Sequence, residues 1–124
     1  MNEDRTSIAA LASMFFGAKL KGEVERAGYS YLGAIGETGL LKHARESSPI
    51  AIFLDLVKDD VDYASIIKTL RSEQGTESIP IVAFCGHVDT EKLAAAKGWG
   101  CDVVTTNGAV SQNFETVLQS AIGA

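Results

Sequence analysis

The sequence predicts an α/β protein in three layers, a parallel five-stranded sheet with helices on both faces. Two runs carry the prediction, Pro49-Ile50-Ala51-Ile52-Phe53-Leu54-Asp55 and Ile79-Pro80-Ile81-Val82-Ala83-Phe84-Cys85. Each is apolar without polar alternation, as expected of a strand buried on both faces. The second observation is the alternation of such runs with segments whose apolar residues recur at helical spacing. Short loops join them, with no repeat, low-complexity tract or linker, which implies right-handed crossovers and parallel pairing. At 124 residues and 46% hydrophobic, the chain is expected to be one domain, 1–124, large enough to bury a core without a metal or disulfide staple.

Taken in order, Ser7 to Ser13 is short, apolar and built of small residues, suiting a central strand crowded from both sides. Phe15, Phe16, Leu20, Val24 and Ala27 mark a helix that Gly28 stops. Tyr29 to Ile35 is a second strand, and Leu40, Leu41 and Ala44 define a helix from Glu37 to Glu46, closed by Ser47-Ser48-Pro49. The strand ending in Asp55 follows. Asp62 then caps a helix that turns Tyr63, Ile66, Ile67 and Leu70 inward. After the fourth strand, Ile79 to Cys85, Asp89 or Thr90 caps a short Ala-rich helix through Lys97. Cys101 to Thr106 is the fifth strand, and one helix is expected from Ala109 to Ile122. The strand order assigned is the doubly wound, flavodoxin-like 2-1-3-4-5.

Charge and composition exclude several functions. A net charge of −5 argues against binding a phosphate backbone, which needs clustered Lys and Arg. Met1-Asn2-Glu3-Asp4-Arg5 starts acidic, and no apolar run approaches the roughly 18 to 20 residues of a membrane span, so the cytoplasm is the expected location. Cys85 and Cys101 fall at opposite ends of parallel strands, too far apart for a disulfide. Both are expected to be reduced.

Asp55 ends a central strand, where ligands collect in an open parallel sheet. With the loop Leu56-Val57-Lys58-Asp59-Asp60-Val61-Asp62-Tyr63, the strand Ile79 to Phe84, and Gly100-Cys101-Asp102-Val103-Val104, it makes the whole chain resemble the receiver domains of two-component response regulators. The resemblance implies that Asp55 is the phosphoacceptor and that the Val57 carbonyl helps hold Mg²⁺. It also implies a face of helix four, strand five and helix five for output or homodimerisation, here including Lys92, Lys97, Trp99 and Val104.

The departures from that family form a pattern. The acid pair expected after strand one is replaced near Ala12 and Ser13, with no Asp or Glu between Arg5 and Gly22. The Ser or Thr after strand four corresponds to Cys85, a weak donor. The Lys-Pro after strand five corresponds to Asn107-Gly108, and the switch aromatic to Val104. Mg²⁺ demands hard oxygen ligands in near-octahedral geometry, so binding is expected to be weak or absent. Phosphoryl transfer relies on positioning and charge neutralisation. The expectation is a non-enzymatic, phosphorylation-independent pseudo-receiver that binds an unidentified signalling protein. Since the sequence ends at Ala124, it is expected to signal by association.

Two rivals stand beside it. One is a receiver that accepts a phosphoryl group on Asp55 from a histidine kinase. The other is a flavodoxin-like cofactor binder, supported only by Gly33-Ala34-Ile35-Gly36-Glu37-Thr38-Gly39, which matches neither the dinucleotide nor the Walker pattern. For Asp55 the alternative to an active role is a solvated strand-end acid. His43 and His87 are single histidines without metal spacing, and a Cys85/His87 nucleophile pair has no orienting third group. Trp99 is read as packed in its loop, or partly exposed as an interface anchor.

Overall fold

A computed structural model describes residues 6–123. The acidic start, Met1 to Arg5, and Ala124 lie outside the described residues. Five parallel strands run in the order β2-β1-β3-β4-β5. They are β1 (Ser7–Leu11), β2 (Ser30–Ala34), β3 (Ala51–Asp55), β4 (Ile81–Cys85) and β5 (Val103–Thr106). The helices are α1 (Met14–Arg26), α2 (Glu37–Ser47), α3 (Tyr63–Ser72), α4 (Thr90–Ala96), α5 (Asn107–Gln112) and α6 (Phe114–Ile122).

Every residue of β3 and β4 is buried, while the edge strands β2 and β5 are only half-buried, matching the continuous against the mixed composition of these runs. Alternate residues of each strand feed two cores. Ile52, Leu54, Ile81 and Ala83 join Leu40, Ile66, Ile67 and Leu70 of α2 and α3. Phe53, Val82 and Phe84 join Phe16, Leu20, Val110, Phe114 and Leu118 of α1, α5 and α6. The predicted stop after α1 is realised at Gly28, whose φ of 97° a side chain would strain. Asp62 caps α3 as expected, its carboxylate accepting from the Ser65 N–H at 3.0 Å.

The C-terminal helix differs from the expectation. It starts earlier, because the Thr106 hydroxyl accepts the Ala109 N–H at 3.2 Å, and it breaks at Asn113, whose φ of −133° leaves the helical region. Asn113 N–H closes α5 on the Ala109 carbonyl, and its own carbonyl opens α6 by accepting from Val117. Val110, Phe114, Val117, Leu118 and Ala121 of the expected stripe are buried while Ile122 at its end is exposed, so among the described residues six helices rather than five deliver most of that apolar face. Strand five starts at Val103 rather than Cys101, because the chain before it is held by side chains. Arg71 of α3 donates to the carbonyls of Glu77, Ile79 and Gly100 and to the Asp102 carboxylate, which also accepts the Ile81 N–H at 2.8 Å.

Candidate functional site

The carboxyl ends of β1, β3 and β4 meet around Asp55. Its side chain follows Ala51 and Phe53 on the α1 side of the sheet, in register with Phe84 of β4. This removes it from water: Asp55 is 4% exposed, not the solvated acid the sequence allowed. Ser13 supplies the first contact. As N-cap of α1 its hydroxyl accepts from Phe16 N–H at 3.1 Å, while its own N–H donates to Asp55 Oδ2 at 3.2 Å. Burial pushes the Asp55 carboxyl above the usual carboxylate range, against the opposing pull of Ser13 and of the Lys92 charge.

A second contact holds the acid's backbone. The Tyr63 hydroxyl donates to the Asp55 carbonyl at 2.8 Å and accepts from Lys58 N–H at 3.2 Å, pinning both ends of the loop between β3 and α3. Nearby, Lys92 of α4 does not point outward. Its ammonium donates to the Leu56 carbonyl at 2.7 Å and pairs with Asp59 at 3.1 Å, and that hydrogen bond raises its pKa.

The cavity beside the carboxylate is about 20 Å³, lined by Leu11, Ala12, Ser13, Ile35, Asp55, Val57, Lys58, Val61 and Tyr63. That is room for about one water. Asp55 is the one acidic side chain in this lining, and among the described residues no cluster of three His, Cys, Asp or Glu could hold a metal. These donors do not fit Mg²⁺, which needs several hard oxygens and keeps its waters. Val57 also lines this cavity, with its side chain exposed. At the end of β5, Asn107 has a buried amide oxygen with no hydrogen-bond partner among the described residues, and it is not among the residues that line this cavity.

Cys85 is buried at the end of β4, and its thiol makes one weak hydrogen bond among the described residues, to the Asp89 carbonyl at 3.9 Å. Burial pushes its thiol up, away from nucleophilic character, while His87 is exposed. Cys101 is also free and is pushed up to about 11 by burial. His43 contacts the Gly33 carbonyl at 3.2 Å. Trp99 and Val104 are half-buried against the α2–α3 core, and Lys97 is exposed. Sequence reasoning missed the Ser13 N–H, Tyr63 hydroxyl and inward Lys92, because none belongs to a local motif. Arg71 likewise sits on the exposed side of a helical pattern.

A raised carboxyl pKa has a measurable consequence. The folded state holds its Asp55 proton to higher pH than the unfolded chain, so this group's contribution falls as pH rises from the ordinary carboxylate range through the folded pKa. Asp55→Asn should therefore melt a few degrees above wild type at pH 7, with the gap closing as pH falls toward 4. A variant that melts lower at pH 7 would show that the ionised acid stabilises the fold.

Solved structures with a similar fold include several receiver and response-regulator proteins. The receiver domain of NtrX from Brucella abortus superposes with a TM-score of 0.80 at 16% identity, over 95% of this chain and 99% of that one. The signal receiver domain of a signal transduction histidine kinase from Syntrophus aciditrophicus gives 0.79 at 15%, over 95% and 90%. The chemotaxis response regulator CheY4 of Vibrio cholerae gives 0.74 at 16%, over 91% and 98%. No protein-family model matches the sequence, and no curated protein matches it. The chain therefore has the receiver-domain fold of response regulators, a relationship carried by structure at this low identity.

Proposed function

We propose that this chain is a two-component-type receiver module that works by binding another protein, independently of phosphorylation and without enzymatic turnover. The observation that supports this best is the packing around Asp55: a carboxylate 4% exposed, beside a cavity of about 20 Å³ that has no second acid. A carboxylate is a weak nucleophile that needs its charge balanced to attack phosphorus. Here Lys92 is committed to Leu56 and Asp59. Mg²⁺ binding is accordingly weak or absent in this reading, and the site is a vestige inside a binding module. The absence of a span-length apolar helix among the described residues agrees with a cytoplasmic place of action.

One observation favours the phosphorylatable alternative. Asp55 keeps the acceptor position at the end of β3, within the field of the Lys92 charge. Incubation with acetyl phosphate and Mg²⁺ followed by intact mass separates the two readings. The unmodified mass in wild type and in Asp55→Asn supports the proposal; one added phosphoryl group in wild type alone overturns it.

A further inference from the structure

We infer that Lys92 is a latch that holds α4 against the loop between β3 and α3, and that α4 opens locally whenever the ammonium lets go of the Leu56 carbonyl. Most of the other helices are fixed by buried side chains, three in α1 and in α2 and four in α3 and in α6. By contrast, α4 has seven residues and buries one of them, Ala96, with Leu93 half-buried on the core. Helix α5 also buries one, but Asn113 joins it to α6 through hydrogen bonds on both sides. A helix as short as α4 is marginal on its own. Its N-cap, Asp89, makes no side-chain cap bond, so its first turn lacks the anchor that Ser13 gives α1 and Asp62 gives α3. Few buried contacts and an uncapped end mark the segments that open first.

Lys92 supplies what packing does not. Its ammonium reaches the Leu56 carbonyl at 2.7 Å and Asp59 at 3.1 Å, and the two arms differ in strength. Leu56 is 1% exposed, and a charged donor on a carbonyl in that setting is among the stronger hydrogen bonds. The Asp59 side chain is 91% exposed, where an ion pair adds little. The loop that the latch grips is itself fixed. Tyr63, buried in α3, holds the Asp55 carbonyl and the Lys58 N–H on either side of Leu56. Release therefore moves α4 and leaves the loop in place, with Gly86 before the helix and Gly98 and Gly100 after it to absorb the motion. Opening widens a cleft of about 170 Å³ between loop and helix, walled by Leu56, Val61, Tyr63 and Trp99. With α4 as part of the protein-binding face, a step that rests on the proposed function, the latch regulates the shape of that face.

Amide hydrogen exchange of the full chain, read residue by residue by NMR, tests this. The hydrogen-bonded amides of Leu93, Lys97, Gly98 and Trp99 should exchange faster than those of β3, β4 and α3. Lys92→Met keeps the stem and removes the ammonium; it should speed the α4 amides about tenfold or more and leave β3 and β4 as in wild type. Asp59→Asn should speed them about threefold at most. Both side chains reach solvent, so the variants should keep the wild-type circular dichroism. Amides of α4 as slow as those of β4 overturn the latch, as does a Lys92→Met protein that leaves α4 unchanged or speeds α4, β3 and β4 alike. An Asp59→Asn effect equal to that of Lys92→Met overturns the assignment to the Leu56 carbonyl. Phosphoryl labelling of Asp55 would overturn the functional reading and leave the exchange pattern as it stands.

Discussion

Arg71→Ala should lower stability by about 3 kcal/mol, a loss on the scale of several hydrogen bonds to a charged group left without their donor. For a domain of this size that lowers the melting temperature by roughly 10 °C. The reason lies in what the guanidinium joins. Its Nη1 holds the carbonyls of Glu77 and Ile79 at 2.9 and 2.8 Å, its Nη2 holds Asp102 at 2.7 Å, and Gly100 accepts from both Nε and Nη2. The approach to β4 and the approach to β5 are thereby tied to the end of α3. Asp102 extends the tie to the Ile81 N–H, so β4 enters the sheet already aligned with β5. Lysine is a single flexible ammonium without a planar fork, and Arg71→Lys should recover less than half of the loss. Thermal melting of both variants checks this; an Arg71→Ala protein melting within a degree or two of wild type would show the clamp to be incidental.

Phe53→Ala should cost about 4 kcal/mol, the larger of the two effects. Phe53 is fully buried in the central strand, and its ring lies 5.4 Å from Phe114 and 6.4 Å from Phe84, which in turn lies 5.1 Å from Phe16. Four rings thus link α1, β4, β3 and α6 in one layer, two residues below Asp55. Deleting the Phe53 ring leaves a cavity beside the Phe84 and Phe114 rings that the neighbouring elements must collapse into. Phe53→Leu, which keeps most of the volume, should lose less than half as much. Denaturant unfolding with an unchanged m-value measures both, and equal losses in the two variants would contradict the aromatic-layer account.

The order of elements was legible because β3 and β4 are unbroken apolar runs and the helices carry clear apolar stripes. The Asp62 cap and the inward set Tyr63, Ile66, Ile67 and Leu70 could be read for the same local reason. The break at Asn113 was not legible. Its apolar stripe continues through the break, since Val110 and Phe114 are both buried, and periodicity alone cannot report one non-helical residue between them. At the site, the sequence pointed to Asp55 and to the residues missing around it. It did not reveal that the acid would be buried with the Ser13 N–H on its carboxylate, since that contact arises only in the tertiary fold. Lys92 is a similar case: the resemblance placed it on an interaction face, whereas its ammonium donates to the Leu56 carbonyl in the β3–α3 loop.

The burial of Asp55 with no second acid beside it among the described residues is the centre of the account, and intact mass after incubation with acetyl phosphate and Mg²⁺ tests it most directly. The account predicts the unmodified mass for wild type and Asp55→Asn alike, with both folded by circular dichroism. A single added phosphoryl group on wild type, absent from Asp55→Asn, would contradict it and make the buried carboxylate a working acceptor.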